Sequence, residues 1–226
     1  MRIVVLTGAG ISAESGIPTF RGAGGLWEGH RIEDVASPEG WQKNKKLVLD
    51  FYNKRRKAVQ LAQPNGAHTA LARLDDLHDV YIITQNIDDL HERAGSKNIL
   101  HLHGEILKAR SVKDEFLIST IQSDIQLGDF ATDGAQLRPH IVWFGEAVPM
   151  IEPAMQIVEK AEILVIIGTS MVVYPAAGLL HYAPTGIPIY VINTEKTEMS
   201  SNKNINFIQK HASEGVDEFI RNYVIK

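Results

Sequence analysis

The stretch Arg2-Ile3-Val4-Val5-Leu6-Thr7-Gly8-Ala9-Gly10-Ile11-Ser12-Ala13, residues 2–13, decides the fold class. Its first half is an aliphatic, β-branched run, the composition of a strand buried on both faces. Its second half, Gly8 to Ala13, fits G-x-G-x-x-G/A. In that pattern the first glycine allows a tight turn, the second lets the backbone approach a pyrophosphate, and the following helix N-terminus supplies amide donors. Taken alone, it also describes a plain strand-to-helix turn.

Outward from this stretch, short β-branched runs alternate with longer amphipathic ones, the pattern of a parallel sheet covered by helices. Strands are predicted at Arg2–Leu6, Val80–Thr84, Ile99–Leu102, Ile141–Phe144, Ile163–Ile167, Ile189–Ile192 and Asn206–Ile208. Helices are predicted at Lys46–Gln63, Gly66–Leu77, Ile87–Ala94, Asp114–Ile125, Glu152–Glu162, Pro175–His181 and Gly215–Tyr223. The fold class is therefore α/β, a Rossmann-like parallel sheet with helices on both faces. Two segments break the alternation, Gly22 to about Gly40 and about Glu105 to Arg138, the second polar and helical with no clear core strand. They read as insertions that form a small lobe. The chain is then one domain, 1–226, with a Rossmann-like part near 1–24, 64–104 and 139–226 and a small lobe near 25–63 and 105–138. Trp27, Trp41, Phe116 and Leu117 are candidate core residues of the lobe.

With 226 residues, 44% of them hydrophobic and 22% charged, the chain is long enough to bury a core without staples. It has no cysteine, which excludes disulfides, a thiol nucleophile and thiolate zinc ligation. A net charge of -4 argues against generic binding to a phosphate backbone. The first apolar run breaks at Thr7-Gly8, too early for a signal-peptide core or a membrane span, so a cytoplasmic protein without membrane or nucleic-acid contact is expected.

Four apolar runs end in small or polar residues: Thr7-Gly8-Ala9-Gly10, Thr84-Gln85-Asn86, Gly168-Thr169-Ser170 and Asn193-Thr194-Glu195. In an open parallel sheet ligands bind at the carboxyl ends of the strands, so one large polar site is expected there. A dehydrogenase would continue with a second strand ending in an acid about 20 residues on. No apolar strand precedes Trp27-Glu28-Gly29-His30-Arg31, and that reading weakens. Arg21 either caps an anion or is a solvated loop residue. His101 and His103 share a face of a strand, as structural and surface residues, as a metal pair, or with His103 as a general base that titrates near neutrality. Asn86 or Asp88 is either a helix N-cap or a ligand contact.

Taken together, Gly8-Ala9-Gly10-Ile11-Ser12, Ser15-Gly16-Ile17-Pro18, Phe20-Arg21, Thr84-Gln85-Asn86-Ile87-Asp88, His103-Gly104, Val142-Trp143-Phe144-Gly145-Glu146 and Gly168-Thr169-Ser170 resemble the motif set of the sirtuins, NAD-dependent protein-lysine deacylases. The resemblance runs in order from Met1 to about Ala212. It implies NAD as consumed co-substrate and acyl-lysine proteins as substrates, with nicotinamide, O-acyl-ADP-ribose and free lysine as products. It further implies His103 as the base toward a ribose hydroxyl and Asn86 and Asp88 as catalytic positioning residues. NAD would meet Gly8, Ala9, Gly10, Ile11, Ser12, Phe20, Arg21, Trp27, Gln85, Asn86, Ile87, Asp88, Gly168, Thr169, Ser170, Asn193, Thr194, Glu195 and Ala212. Val142, Trp143, Phe144 and Gly145 would pair with the substrate peptide in strand fashion, giving loose sequence preference.

Tyr52 and Arg55, three apart on a helix, share a face and resemble the pair that marks the desuccinylating bacterial (class III) members. A guanidinium can hold the free carboxylate of a dicarboxylic acyl chain bidentately. The alternative is a packed tyrosine beside one cation of a solvated run. Most sirtuins carry a structural zinc on four cysteines in the small lobe. This chain has none, so a metal-free lobe held by packing is expected, with the protein a monomer. Two other activities remain open: a mono-ADP-ribosyltransferase on the same fold, and a nucleotide-binding module without catalysis.

Overall fold

The computed structural model describes residues 1–19, 27–171, 173–196 and 204–224. In chain order its strands are β1 (Arg2–Thr7), β2 (Asp79–Thr84), β3 (Ile99–His101), β4 (Gly104–Ser111), β5 (Ile118–Thr120), β6 (Leu137–Ile141), β7 (Ile163–Ile167), β8 (Ile189–Ile192) and β9 (Ile205–Ile208). Its α-helices are α1 (Ile32–Val35), α2 (Pro38–Lys43), α3 (Lys45–Leu61), α4 (Gly66–Leu74), α5 (Leu90–Ala94), α6 (Ile151–Val158) and α7 (Ala212–Phe219).

Successive side chains of β1 point to opposite faces, and both faces find apolar partners. Ile3 and Val5 pack with Ala67 and Leu71 of α4 and with Val216 and Phe219 of α7. Val4 and Leu6 pack with Ala154 and Val158 of α6 and with Leu179. Each fully buried aliphatic side chain contributes roughly 1.5–3 kcal/mol, which is why this strand reads as an unbroken apolar run. The described strands form a six-stranded sheet in the order β3-β2-β1-β7-β8-β9, with every pairing parallel. The chain leaves β1 toward β2 and β3, then returns to β7 on the other side. Strand order thus reverses at β1 and β7, and the crevice at their carboxyl ends is the expected ligand position.

The polar segment after His103 differs from its sequence reading. Instead of a helix over Asp114–Ile125 with no core strand, there is a three-stranded antiparallel sheet in the order β5-β4-β6. Spacing of apolar residues at 117, 121 and 125 mimics a helical stripe, yet Ile118–Thr120 pair with Lys108–Arg110 of β4 as a strand, and Phe116 is 85% exposed. Phe116 is therefore not a core residue, and Leu117 is only half-buried, whereas Trp27 and Trp41 are core. The strand expected at Ile141–Phe144 lies instead at Leu137–Ile141, with Pro139 on an edge strand, where its missing N–H is harmless. The helix expected from Ile87 begins only at Leu90, and Pro175–His181 is replaced by a 3₁₀ helix over Ala176–Tyr182.

Helix α3 is the pillar of this second sheet. Asn53 acts like an added backbone segment: its Nδ2 donates to the Ile125 carbonyl and its Oδ1 accepts from the Ile125 amide, both at 2.9 Å. Buried Arg56 donates through Nε to the Ile106 carbonyl at 2.9 Å and through Nη1 to Asn53 Oδ1 at 2.7 Å. Ser111 Oγ donates to Asp133 Oδ2 at 2.6 Å across the connection between β4 and β6. These bonds and the aromatic core of Trp27, Trp41, Phe51, Tyr52 and Trp143 hold the lobe. Asn53→Ala strands the Ile125 backbone pair and one Arg56 donor, and is expected to cost about 2–3 kcal/mol in equilibrium unfolding, each orphaned buried group costing about 1–3 kcal/mol. A loss below about 0.5 kcal/mol in a urea titration would contradict this assignment.

Candidate active site

The turn after β1 is built against the turn after β7. Gly8 N donates to the Ile167 carbonyl at 3.0 Å, and Gly10 N donates to the Gly168 carbonyl at 2.8 Å. A Cβ on Gly8 would stand 2.7 Å from Thr169 Cβ, and one on Gly10 would stand 2.6 Å from Gly168 Cα. Both glycines are thus required by close approach of one chain segment to another. Ala9–Ile11 and Ala13–Ser15 form 3₁₀ turns where the glycine pattern would be followed by a helix N-terminus, and the Ile11 and Ser12 amides are bonded back to the carbonyls of Gly8 and Ala9. Phe20 and Arg21 lie outside the described residues.

Beside this turn stands a buried polar cluster. Ser12 Oγ donates to Asp88 Oδ2 at 3.0 Å and lies 3.1 Å from Asn86 Nδ2, which also donates to the Gly8 carbonyl at 3.2 Å. Asp88 Oδ1 accepts the Leu90 amide at 3.2 Å, so the carboxylate serves as a partial cap of α5 while its other oxygen faces the site cluster. Burial raises its pKa, opposed by the Leu90 and Ser12 hydrogen bonds. Ile87 packs half-buried against the lobe core.

His103 and His101 are aimed at the same loop. His103 Nδ1 lies 3.1 Å from the Gln85 carbonyl, and His101 Nδ1 lies 3.1 Å from the Asn86 carbonyl. A carbonyl can only accept, so each Nδ1 carries the proton. His103 Nε2 is therefore the basic atom. Burial lowers the His103 pKa, with the Gln85 carbonyl opposing, and keeps the imidazole neutral at physiological pH. His101 goes the other way: burial disfavours its charge, but Glu92, 2.7 Å from Nε2, outweighs it and raises the pKa. One histidine is a base and its neighbour is half of an ion pair.

Across the crevice, Gln85 Nε2 donates to Thr169 Oγ1 at 3.2 Å, and Asn193 Nδ2 donates to the Thr169 carbonyl at 3.3 Å. Ser170, Thr194 and Glu195 are exposed at the strand ends, and Gly168 takes φ +62°. Thr194, Gln209, Lys210, His211 and Glu214 line an open cleft of about 480 Å³, above the buried first residue of α7, Ala212.

On the small-lobe side, Tyr52 is fully buried and Arg55 is 7% exposed. The Arg55 guanidinium lies 4.4 Å from the Trp27 ring centre and 5.8 Å from that of Phe51. Its Nη1 donates to Glu28 Oε1 at 2.5 Å, while buried Nε has no acceptor among the described residues. The Tyr52 hydroxyl approaches the Trp143 indole N–H without forming a well-directed hydrogen bond, and burial raises its pKa.

Residues Trp143–Glu146 form a turn closed by the Glu146 amide on the Trp143 carbonyl at 3.0 Å, with Gly145 at φ +91°. Val142 N donates to the His103 carbonyl and Phe144 N to the Ala36 carbonyl, both at 3.0 Å. Trp143 N donates to Glu146 Oε2 at 2.8 Å, and the same carboxylate takes two bonds from Arg138, at 2.6 and 3.1 Å. Strand-fashion pairing with a peptide would thus use the carbonyl oxygens of this segment or open the bond from Phe144 to Ala36.

The Sir2 family model matches residues 8–175. The chain belongs to the Sir2 family. Curated Sir2 relatives include an NAD-dependent protein deacylase of Bacteroides thetaiotaomicron, 54% identical over 222 residues, 96% of this chain and 95% of the relative. Another of the same description, from Helicobacter pylori, is 53% identical over 218 residues, 96% of this chain and 93% of its own. Among solved structures, a Sir2 homolog–NAD complex superposes with a TM-score of 0.87 at 41% identity, covering 97% of this chain and 88% of that one. A mutant Sir2 homologue complexed with ADP-ribose gives 0.88 at 40%, covering 97% and 90%.

Within this Sir2 chain, the sequence singled out most of the residues at the β1, β2, β7 and β8 ends, and those described do converge. It missed Glu28, Glu92 and the cleft residues Gln209 and Lys210, and it quoted Glu146 as part of the Val142–Glu146 motif without a role of its own. Glu92 had a usable signal, since a carboxylate near His101 decides which of two histidines stays neutral. Glu28 had none, because it meets its arginine partner only through the folded turn.

Proposed function

We propose that this chain is an NAD-dependent protein-lysine deacylase that removes succinyl and malonyl groups as well as acetyl. The observation that carries the activity is His103: its protonated Nδ1 is fixed on the Gln85 carbonyl, its burial keeps Nε2 basic, and it stands at the sheet end in a Sir2-family chain. The observation that supports the acyl class is Arg55, a buried guanidinium close in sequence to Tyr52 whose Nε donor has no acceptor among the described residues.

The site fits NAD by the close glycine turn at Gly8 and Gly10, the polar groups of Gln85 and exposed Ser170 at the sheet end, and the open cleft at Thr194 and Lys210 beyond, with Ser12 and Asn86 bonded beneath the turn. When bound, NAD supplies the ADP-ribose that accepts the acyl group as nicotinamide departs. The residues of this chain do the rest. His103 Nε2 takes a proton from a ribose hydroxyl. Asp88, Ser12 and Asn86 form one bonded unit that fixes the polar floor beneath it. Arg55 and Tyr52 hold the distal carboxylate of a dicarboxylic acyl chain.

Labelled NAD separates this activity from mono-ADP-ribosyl transfer. Label is expected in a small O-acyl-ADP-ribose product, and label retained on protein would favour the transferase reading.

The residues present do not fit a structural zinc. The sequence has no cysteine, and among the described residues no three His, Asp or Glu gather as ligands. Incubation with a strong chelator is therefore expected to leave the thermal midpoint and turnover unchanged, and a fall in either would contradict a lobe held by α3 and its hydrogen bonds. Among the described residues no helix is long and apolar enough to cross a membrane. A cytoplasmic monomer acting on acyl-lysine proteins, without direct nucleic-acid contact, completes the proposal.

A further inference from the structure

Glu28 stands in a tight turn closed by reciprocal bonds between Trp27 and His30, at 2.9 and 3.0 Å. It takes φ +49°, a backbone region that a residue with a Cβ occupies at a cost. That turn delivers its carboxylate onto Arg55 Nη1 at 2.5 Å. The two ends of the pair are unequal: the Arg55 side chain is 8% exposed and that of Glu28 is 31% exposed. The guanidinium is the fixed floor and the carboxylate comes from the solvent side. Beneath it, Arg55 Nε and the Tyr52 hydroxyl are buried and have no hydrogen-bond acceptor among the described residues. The floor thus offers more donors than Glu28 uses.

We propose that Glu28 is a specificity-determining residue, an internal carboxylate that occupies Arg55 and is exchanged for the distal carboxylate of a dicarboxylic acyl-lysine. This rests on the acyl-carboxylate reading of Arg55 given above. A bare buried cation is strongly unfavourable, so Arg55 needs a counter-charge when the acyl chain is neutral. Glu28 provides it with acetyl-lysine and yields with succinyl-lysine. The exchange moves no covalent bond. Because only the fraction of molecules with Glu28 withdrawn can take the guest carboxylate, the resident carboxylate weakens apparent succinyl-lysine affinity by that fraction.

The test compares KM and kcat for matched succinyl-lysine and acetyl-lysine peptides in the wild type, Glu28→Gln, Glu28→Asp, Arg55→Met and the double variant Glu28→Gln/Arg55→Met. Glu28→Gln is expected to lower KM for the succinyl peptide by about fivefold, more than it changes kcat, the size expected for loss of a partly exposed ion pair. The succinyl-to-acetyl ratio of kcat/KM rises accordingly, Glu28→Asp moves it part of the way, and the substitution has no effect on the ratio once Arg55 is methionine. A ratio unchanged or lowered in both Glu28 variants, or raised equally without Arg55, overturns the role of Glu28 while leaving Arg55 as the acyl-carboxylate anchor. A wild-type ratio that survives Arg55→Met overturns that anchor, and the role of Glu28 with it.

Discussion

His103→Ala is expected to lower NAD-dependent deacylation by roughly 10²–10⁴-fold, the range for loss of a positioned general base. The expectation rests on three linked features. The Gln85 carbonyl fixes the proton on Nδ1, so Nε2 carries the lone pair. Burial depresses the pKa, so the basic form persists to lower pH than for a free imidazole. Neighbouring His101 cannot substitute, because both its nitrogens are committed, to the Asn86 carbonyl and to Glu92. The sign of the pH dependence follows. A depressed pKa means protonation, and loss of the base, only as pH falls below the ordinary imidazole value of about 6.5. The acid limb of kcat/KM for the wild type should therefore lie below about 6.5. An unchanged rate in His103→Ala at pH 7.5 would remove the histidine from the mechanism.

Arg55→Met is expected to lower kcat/KM for succinyl-lysine peptides by about 10²-fold, the cost of removing one partner of a desolvated, charge-assisted pair. Acetyl-lysine turnover should fall far less. Methionine preserves much of the stem that packs on Trp27 and Phe51 while deleting the charge. Parallel initial-rate measurements on the two peptides decide it: equal losses on both would mean that Arg55 supports the lobe's packing and reads no carboxylate.

How far these sites were legible in the sequence depended on how local their causes are. The parallel sheet was legible because β1 and β7 are buried on both faces, and burial on both faces leaves an unbroken apolar run. The strand-end residues Gly8, Gln85, Gly168 and Asn193 were legible because parallel register brings carboxyl ends together whatever the loops do. The reason for the glycines was only half legible. Their steric need is the approach of residues 168 and 169, a contact between segments some 160 positions apart that no local pattern announces.

The small lobe was the least legible part. Its strands β5 and β6 are short, the apolar residues of β4 are interrupted by Lys108 and Arg110, and the apolar residues after Asp114 fall by chance at helical spacing. The Asn53 and Arg56 bonds that tie α3 to the lobe are side-chain to backbone contacts across 50 or more residues. Glu28 is invisible for a related reason. A carboxylate in a charged loop carries no signal until a left-handed backbone turn aims it at a buried guanidinium.

The most direct measurement of the central claim is the stoichiometry of a single reaction, with purified protein, NAD and a succinyl-lysine peptide followed by mass spectrometry. The account predicts one nicotinamide and one O-succinyl-ADP-ribose for each lysine freed, and no lysine freed when NAD is omitted. Lysine released without NAD consumption, or no NAD-dependent product from either the succinyl or the acetyl peptide, would contradict it.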